Sequence, residues 1–170
     1  MDIGPLLLEL YGRIPPLAEA AMERLAPARL VERPAPGTNT IAWLIWHLTR
    51  VQDHHLSELM DAPQIWVADG WAASLGLAPD PDNTGYGHSV EEVESVRPDG
   101  PDALLGYLHE VDRRTRPFLA AQTPADLERI VDRRWDPPVT MGVRLVSVAD
   151  DCLQHVGQAA YARGILLGRG

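Results

Sequence analysis

Hydrophobic side chains recur at three- and four-residue steps along four separate stretches of this 170-residue chain. That period belongs to amphipathic helices, because residues three and four apart share one helix face. In the first stretch, from Ile3 to Leu25, the stripe is Leu6, Leu7, Leu10, Ile14, Leu17, Ala21 and Leu25. Pro15-Pro16 interrupts it, so the helix must kink or divide there. The second stretch carries Ile41, Leu44, Ile45, Leu48, Val51 and Leu59, with Thr38 or Asn39 as its cap and an end near Met60–Pro63. The third spans roughly Pro101–Ala121 on Leu104, Leu105, Leu108, Val111, Thr115, Phe118 and Leu119. The fourth begins between Gly142 and Ser147 and runs to about Leu167. Thr123-Pro124-Ala125-Asp126 reads as the start of a short extra helix, since proline suits the first helical position. No stretch alternates as a strand would. The expectation is an all-α, four-helix bundle formed by residues 1–170 as a single domain.

Residues 62–100 do not fit a plain bundle, because a connection of that length usually has structure or a role of its own. This long insertion between the second and third helices contains Trp66, Trp71, Tyr86 and His88 among glycines, prolines and aspartates. Ser89-Val90-Glu91-Glu92 has the form of a capping box and predicts a short helix. The insertion is expected to pack over the bundle as a satellite cluster, to wall a substrate site, or both.

The formal net charge of −9 argues against nucleic acid or an anionic membrane as partner, since both favour a basic patch. Arg113, Arg114 and Arg116, interleaved with Asp112, read as a solvated helix face. A lone cysteine, Cys152, cannot form an internal disulfide, and the first residues lack the basic start of a signal peptide. No apolar run approaches the roughly 20 residues that span a bilayer. These features together predict a cytoplasmic protein whose partner is a small molecule, with a homodimer as the default assembly. All fifteen basic residues are arginine, which points to G+C-rich coding.

The residues able to carry chemistry are histidines on the second and fourth helices. His155 lies in an apolar helical segment with Asp151 one turn before it, so imidazole and carboxylate project from one face. Burying that pair without a partner is costly, and a divalent cation would satisfy both. An ion pair or hydrogen bond between the two is the alternative. His47 occupies the apolar part of the second helix, and His54 follows two turns later on nearly the same face. His55 points elsewhere and is expected to be exposed. One histidine from the second helix and the Asp151–His155 pair would make a three-ligand site with open positions, suited to zinc or to non-haem iron.

Ile41-Ala42-Trp43-Leu44-Ile45-Trp46-His47-Leu48 followed by Asp53-His54-His55 resembles the second helix of the DinB-like superfamily. The stretch from Ser147 to Gln158, containing Asp150-Asp151-Cys152-Leu153-Gln154-His155, looks like that superfamily's closing motif. The insertion, with Asp69-Gly70-Trp71 and Thr84-Gly85-Tyr86-Gly87-His88-Ser89, resembles an uncharacterised subgroup within it. The resemblance implies an up-down-down-up four-helix bundle, often with a metal held by three histidines. Asp151 stands where the first histidine of the last-helix pair is usual. The related mycothiol-dependent maleylpyruvate isomerases are similar in placing a carboxylate there, though theirs is a glutamate. On this resemblance His47, Asp151 and His155 are the expected metal ligands, with zinc favoured and nickel or iron as alternatives.

Related enzymes include mycothiol- and bacillithiol-dependent S-transferases, so the resemblance implies a thiol co-substrate. A G+C-rich origin favours mycothiol. In that reading His54 is the candidate catalytic group, and Arg50 and Arg163 are candidates to bind a carboxylate of the thiol carrier. Metal-dependent hydrolysis with His54 as base, non-haem iron chemistry, and a non-catalytic metal- or ligand-binding bundle are the other readings.

Overall fold

The computed structural model describes residues 2–168. Its first helical stretch is divided at Pro15-Pro16 as the sequence requires, into α1 (Ile3–Tyr11) and α2 (Ile14–Met22). After a short turn of helix, α3 (Pro27–Leu30), comes α4 (Ile41–Leu59). Its cap is Thr40, whose side chain accepts from the Trp43 amide, rather than Thr38 or Asn39. The Thr38 hydroxyl instead closes a turn with the carbonyl and amide of Ala35.

The third bundle helix is α8 (Pro101–Ala120) and the fourth is α10 (Met141–Leu167). Helix α10 starts slightly earlier than its apolar pattern suggests, because Thr140 caps it by accepting from the Val143 amide. It packs along α4 and α2, while α8 packs against α1, α2 and α4. The core between them is continuous, and Trp46, Tyr11, Ile14, Ile41, Ile45 and Leu48 are fully or almost fully buried in it. This is the expected all-α four-helix bundle with a long insertion. On the face of α8, Arg113 pairs with Glu110 and Arg116 with Asp112. No helix among the described residues is long and apolar enough to cross a membrane.

Three short helices organise the insertion: α5 (Ile65–Ala68), α6 (Trp71–Ser74) and α7 (Val90–Ser95). The Ser89–Glu92 capping box begins α7 as expected. Trp66, Ala72, Leu75, Val93 and Val96 all join the bundle core. Trp71 lies directly over Gly106 of α8, where any Cβ would come within 2.6 Å of its ring, and its indole donates to Glu110 at 2.7 Å. Removing the buried Trp66 ring would cost about 3–5 kcal/mol by cavity formation.

The connection after α8 corrects one expectation. Beyond α9 (Pro124–Leu127), which has the Thr123 cap, the chain forms a small antiparallel ribbon of β1 (Ile130–Asp132) and β2 (Val139–Thr140). These strands are too short to display a sequence period. Arg133–Pro138 forms the turn of the ribbon, which leads directly into α10.

Candidate metal centre and its cavity

Helices α4 and α10 bring His47, Asp151 and His155 together. One donor atom from each lies within 4.8 Å of the others. Nε2 of His47 is 3.9 Å from Oδ2 of Asp151, and Nε2 of His155 is 3.5 Å from Oδ1. Ligand atoms bound about 2.1 Å from a tetrahedral zinc ion stand roughly 3.4 Å apart, so small side-chain rotations would close the set around a cation.

The outer nitrogens of both rings are already engaged. Nδ1 of His47 lies 2.5 Å from the carbonyl of Thr84, which can only accept, so the proton is on Nδ1. Nδ1 of His155 lies 3.1 Å from Oε1 of Gln158 and donates to it. Each ring therefore turns its Nε2 toward Asp151, where His47 presents a lone pair and His155 would present one on losing its proton to a bound cation. This is the arrangement by which a second group orients a metal-binding histidine. Oδ2 of Asp151 is buried and has no hydrogen-bond donor. An orphaned carboxylate oxygen beside Nε2 of His47, with Nε2 of His155 at the other oxygen, fits a cation better than a simple Asp–His pair would. The residues present thus form a donor set compatible with a divalent metal.

Burial lowers the pKa of His47, partly offset by its hydrogen bond to Thr84. Burial also disfavours the charged form of His155, but the hydrogen bond and charge of Asp151, helped by Gln158, outweigh it and raise that pKa. His47 is stacked on Trp43, with ring centroids 4.6 Å apart and planes at 8°, and meets His155 edge-on at 4.6 Å.

The insertion closes over this arrangement. Residues 80–88 form a strap across α4, held by side chains that α4 presents. The Trp43 indole donates to Nδ1 of His88 at 3.1 Å, and Nε2 of His88 donates to Asn83 Oδ1 at 2.8 Å. Gly85 has φ +94°, and a Cβ there would lie 2.8 Å from the Trp46 ring and 2.9 Å from His47 Nδ1. Only glycine allows the strap to approach His47 so closely.

Arg50 is the strap's main anchor. Its Nε donates to the Asn83 carbonyl at 3.0 Å and its Nη2 to the Pro81 carbonyl at 2.9 Å. Nη1 serves Gln64 Oε1 and the Tyr107 hydroxyl. Asp53 balances the charge at 3.6 Å and also accepts from the Ile65 and Trp66 amides, Ser57 and Tyr107. A buried guanidinium is tolerable only with such complete pairing. Arg50 is wholly buried, so it cannot bind a carboxylate of a thiol carrier without losing these partners. Arg163 donates to the Glu23 carbonyl at 3.0 Å and does not line the cavity beside the three donors. Neither arginine lines the cavity beside the three donors.

That cavity has a volume of about 540 Å³, within the range of small-molecule sites. His47 and Asp151 reach its floor, and Thr84 and Tyr86 bring the strap to its wall. His54 also lines it, with Nδ1 3.2 Å from the Pro81 carbonyl and 3.1 Å from the Gln64 amide nitrogen. His55, expected to be exposed, is half-buried in the same cavity and accepts from Arg144 Nη1 at 2.9 Å. His54, His55 and Glu58 also bring donor atoms within 4.8 Å of one another, but the Arg144 guanidinium occupies the Nδ1 lone pair of His55 and repels a cation.

Sequence patterns did not disclose the Arg50–Asp53 clamp, the Thr84 carbonyl, or the Asp132, Arg134 and Arg144 group beside the cavity. The three-residue spacing of Arg50 and Asp53 on an apolar helix face was the available signal for the clamp. For the strap it was the Gly85-Tyr86-Gly87 stretch.

The family model described as the DinB superfamily matches residues 12–159, and the chain belongs to that superfamily. Among solved structures, the chain is similar to a conserved protein from Enterococcus faecalis at 30% identity, with a TM-score of 0.91 over 99% of each chain. No curated protein matches significantly.

Proposed function

We propose that this chain binds one divalent cation, zinc, through His47, Asp151 and His155, and catalyses transfer of a thiol, of the mycothiol type, to a small electrophile held in the adjoining cavity. The observation that carries the metal reading is the convergence of two imidazole Nε2 atoms on the Asp151 carboxylate, whose buried Oδ2 has no donor, with both Nδ1–H groups engaged elsewhere. Three protein ligands leave a coordination position free, as catalytic rather than structural zinc requires. When bound, zinc would stabilise the ionised form of a thiol beside it near neutral pH.

The protein's own contribution is placement. Thr84 and Gln158 fix the two imidazoles, Trp43 supports His47 from one face, and the strap restricts access from solvent. His54, on the cavity wall, is available to accept or return a proton. Membership in the superfamily supports metal binding; the thiol rests on the resemblance to the thiol-dependent transferases.

The test is to incubate zinc-reconstituted protein with monochlorobimane, with and without mycothiol. Faster formation of the thiol conjugate, lost in the His155→Ala variant, is the expected result. No acceleration across a panel of such electrophiles would overturn the transferase reading. A metal-dependent hydrolase, the second reading, is favoured by His54 lining the same cavity and would instead act on ester or amide substrates without thiol.

A further inference from the structure

The cavity has a second polar wall, opposite in charge to Asp151, that plays no part in the reading above. Asp132 at the end of β1 is only 6% exposed and binds two guanidinium groups. Arg134 donates to it from Nε at 3.0 Å and from Nη2 at 2.8 Å, and Arg144 donates from Nη2 at 3.1 Å. Arg144 also donates from Nη1 to His55. Burial first, then the charge of Arg144, keep the His55 pKa at about 4, so this ring stays neutral and acts as an acceptor.

Two fixed cations thus surround one carboxylate and leave one positive charge unmatched by Asp132, on a lining that also carries Asp82 and Asp151. Asp132 uses the Nε–Nη2 edge of Arg134 and holds that guanidinium in place. Its Nη1 has no acceptor among the described residues, and 80% of the side chain is exposed. Trp135 and Tyr86 line the same cavity with 66% and 93% of their surfaces exposed. Large aromatic faces left open beside a positioned guanidinium are suited to a flat, apolar body bearing an oxyanion.

We infer that Arg134, held by Asp132 beside Arg144, binds the carboxylate of the substrate, and that the substrate class is a small, flat carboxylic acid lying against Trp135 and Tyr86. This names a substrate class for the function proposed above and rests on that reading for the reaction alone; recognition of the acid requires no metal. The unengaged Nη1 of Arg134 offers a carboxylate a charge-assisted N–H donor, and its neighbour Asp132 reduces the entropy lost when the acid binds.

The probes are benzoate and its neutral counterpart benzamide, titrated by calorimetry and by tryptophan fluorescence into metal-free and zinc-loaded protein. Benzoate should bind both forms, while benzamide binds at least several-fold more weakly. Arg134→Gln should weaken benzoate binding by about fivefold to tenfold, in line with loss of one charge-assisted contact. Arg133→Gln, which makes the same charge change outside the cavity lining, should leave binding unaltered. Equal binding of the two probes, or benzoate binding insensitive to Arg134→Gln, would overturn the inference. Benzoate binding that needs zinc and ignores Arg134 would also overturn it while leaving the metal reading intact. Arg134-dependent binding in a protein that takes up no zinc would preserve the inference and remove the metal reading.

Discussion

Nδ1 of His47 donates to the backbone carbonyl of Thr84 at 2.5 Å, tying a histidine in the middle of α4 to a strap in the insertion. The contact fixes which imidazole nitrogen faces Asp151, so the insertion belongs to the candidate metal centre rather than merely covering it. Since a carbonyl at this place requires close approach of the strap, the strap's conformation and the metal affinity should change together.

Gly85→Ala tests that coupling. The new methyl group would lie against Trp46 and Nδ1 of His47, at a φ of +94° that disfavours any side chain. Strain and overpacking together should lower stability by roughly 2 kcal/mol or more. Displacing the Thr84 carbonyl should weaken zinc binding about tenfold, the usual scale for loss of an orienting partner. Calorimetric zinc titration alongside thermal unfolding would measure both effects; unaltered zinc affinity would break the link.

Arg50→Lys keeps the charge but cannot reach the Asn83 and Pro81 carbonyls together with Gln64 and Tyr107. Leaving several of these acceptors unpaired should cost roughly 2–4 kcal/mol, visible as a lower urea midpoint. The same variant should bind zinc more weakly, because its strap no longer seats against α4. If stability falls and zinc affinity stays constant, Arg50 supports the fold alone.

His55 makes stability depend on pH. Its pKa falls from the usual 6.5 to about 4 on folding, chiefly through burial and then through Arg144. The unfolded chain therefore takes up this proton first as pH drops. The stabilisation is complete above pH 6.5 and is lost progressively down to about pH 4. With 28% of the side chain exposed, the total is at most roughly 3 kcal/mol. Urea titrations between these pH values should show the decline, and His55→Gln should flatten that part of the profile. An unchanged slope in the variant would assign the acid sensitivity elsewhere.

The four bundle helices were legible because each buries one face, and a buried face writes its period into the sequence. Leu44, Leu48 and Val51 mark α4, and Val148, Cys152 and Val156 mark the inner side of α10. The juxtaposition of His47, Asp151 and His155 followed from the same logic, since residues on inward faces of adjacent helices converge. The ribbon at 130–140 left no such trace, because strands of two and three residues have no room for alternation. For Arg50 the sequence shows the charge but not the burial. Its partners lie at Asn83, Pro81, Gln64 and Tyr107, and only tertiary structure unites them. The same holds for His55, whose neighbour Arg144 is 89 residues away.

Metal content tests the central claim most directly. Elemental analysis of protein purified without a histidine tag and reconstituted with zinc would be compared across wild type, His47→Ala, Asp151→Ala and His155→Ala, with circular dichroism to verify that each variant folds. Close to one zinc ion per wild-type chain, lost in all three folded variants, is the predicted result. No zinc in the wild type after reconstitution, or full occupancy in Asp151→Ala, would contradict the three-ligand site.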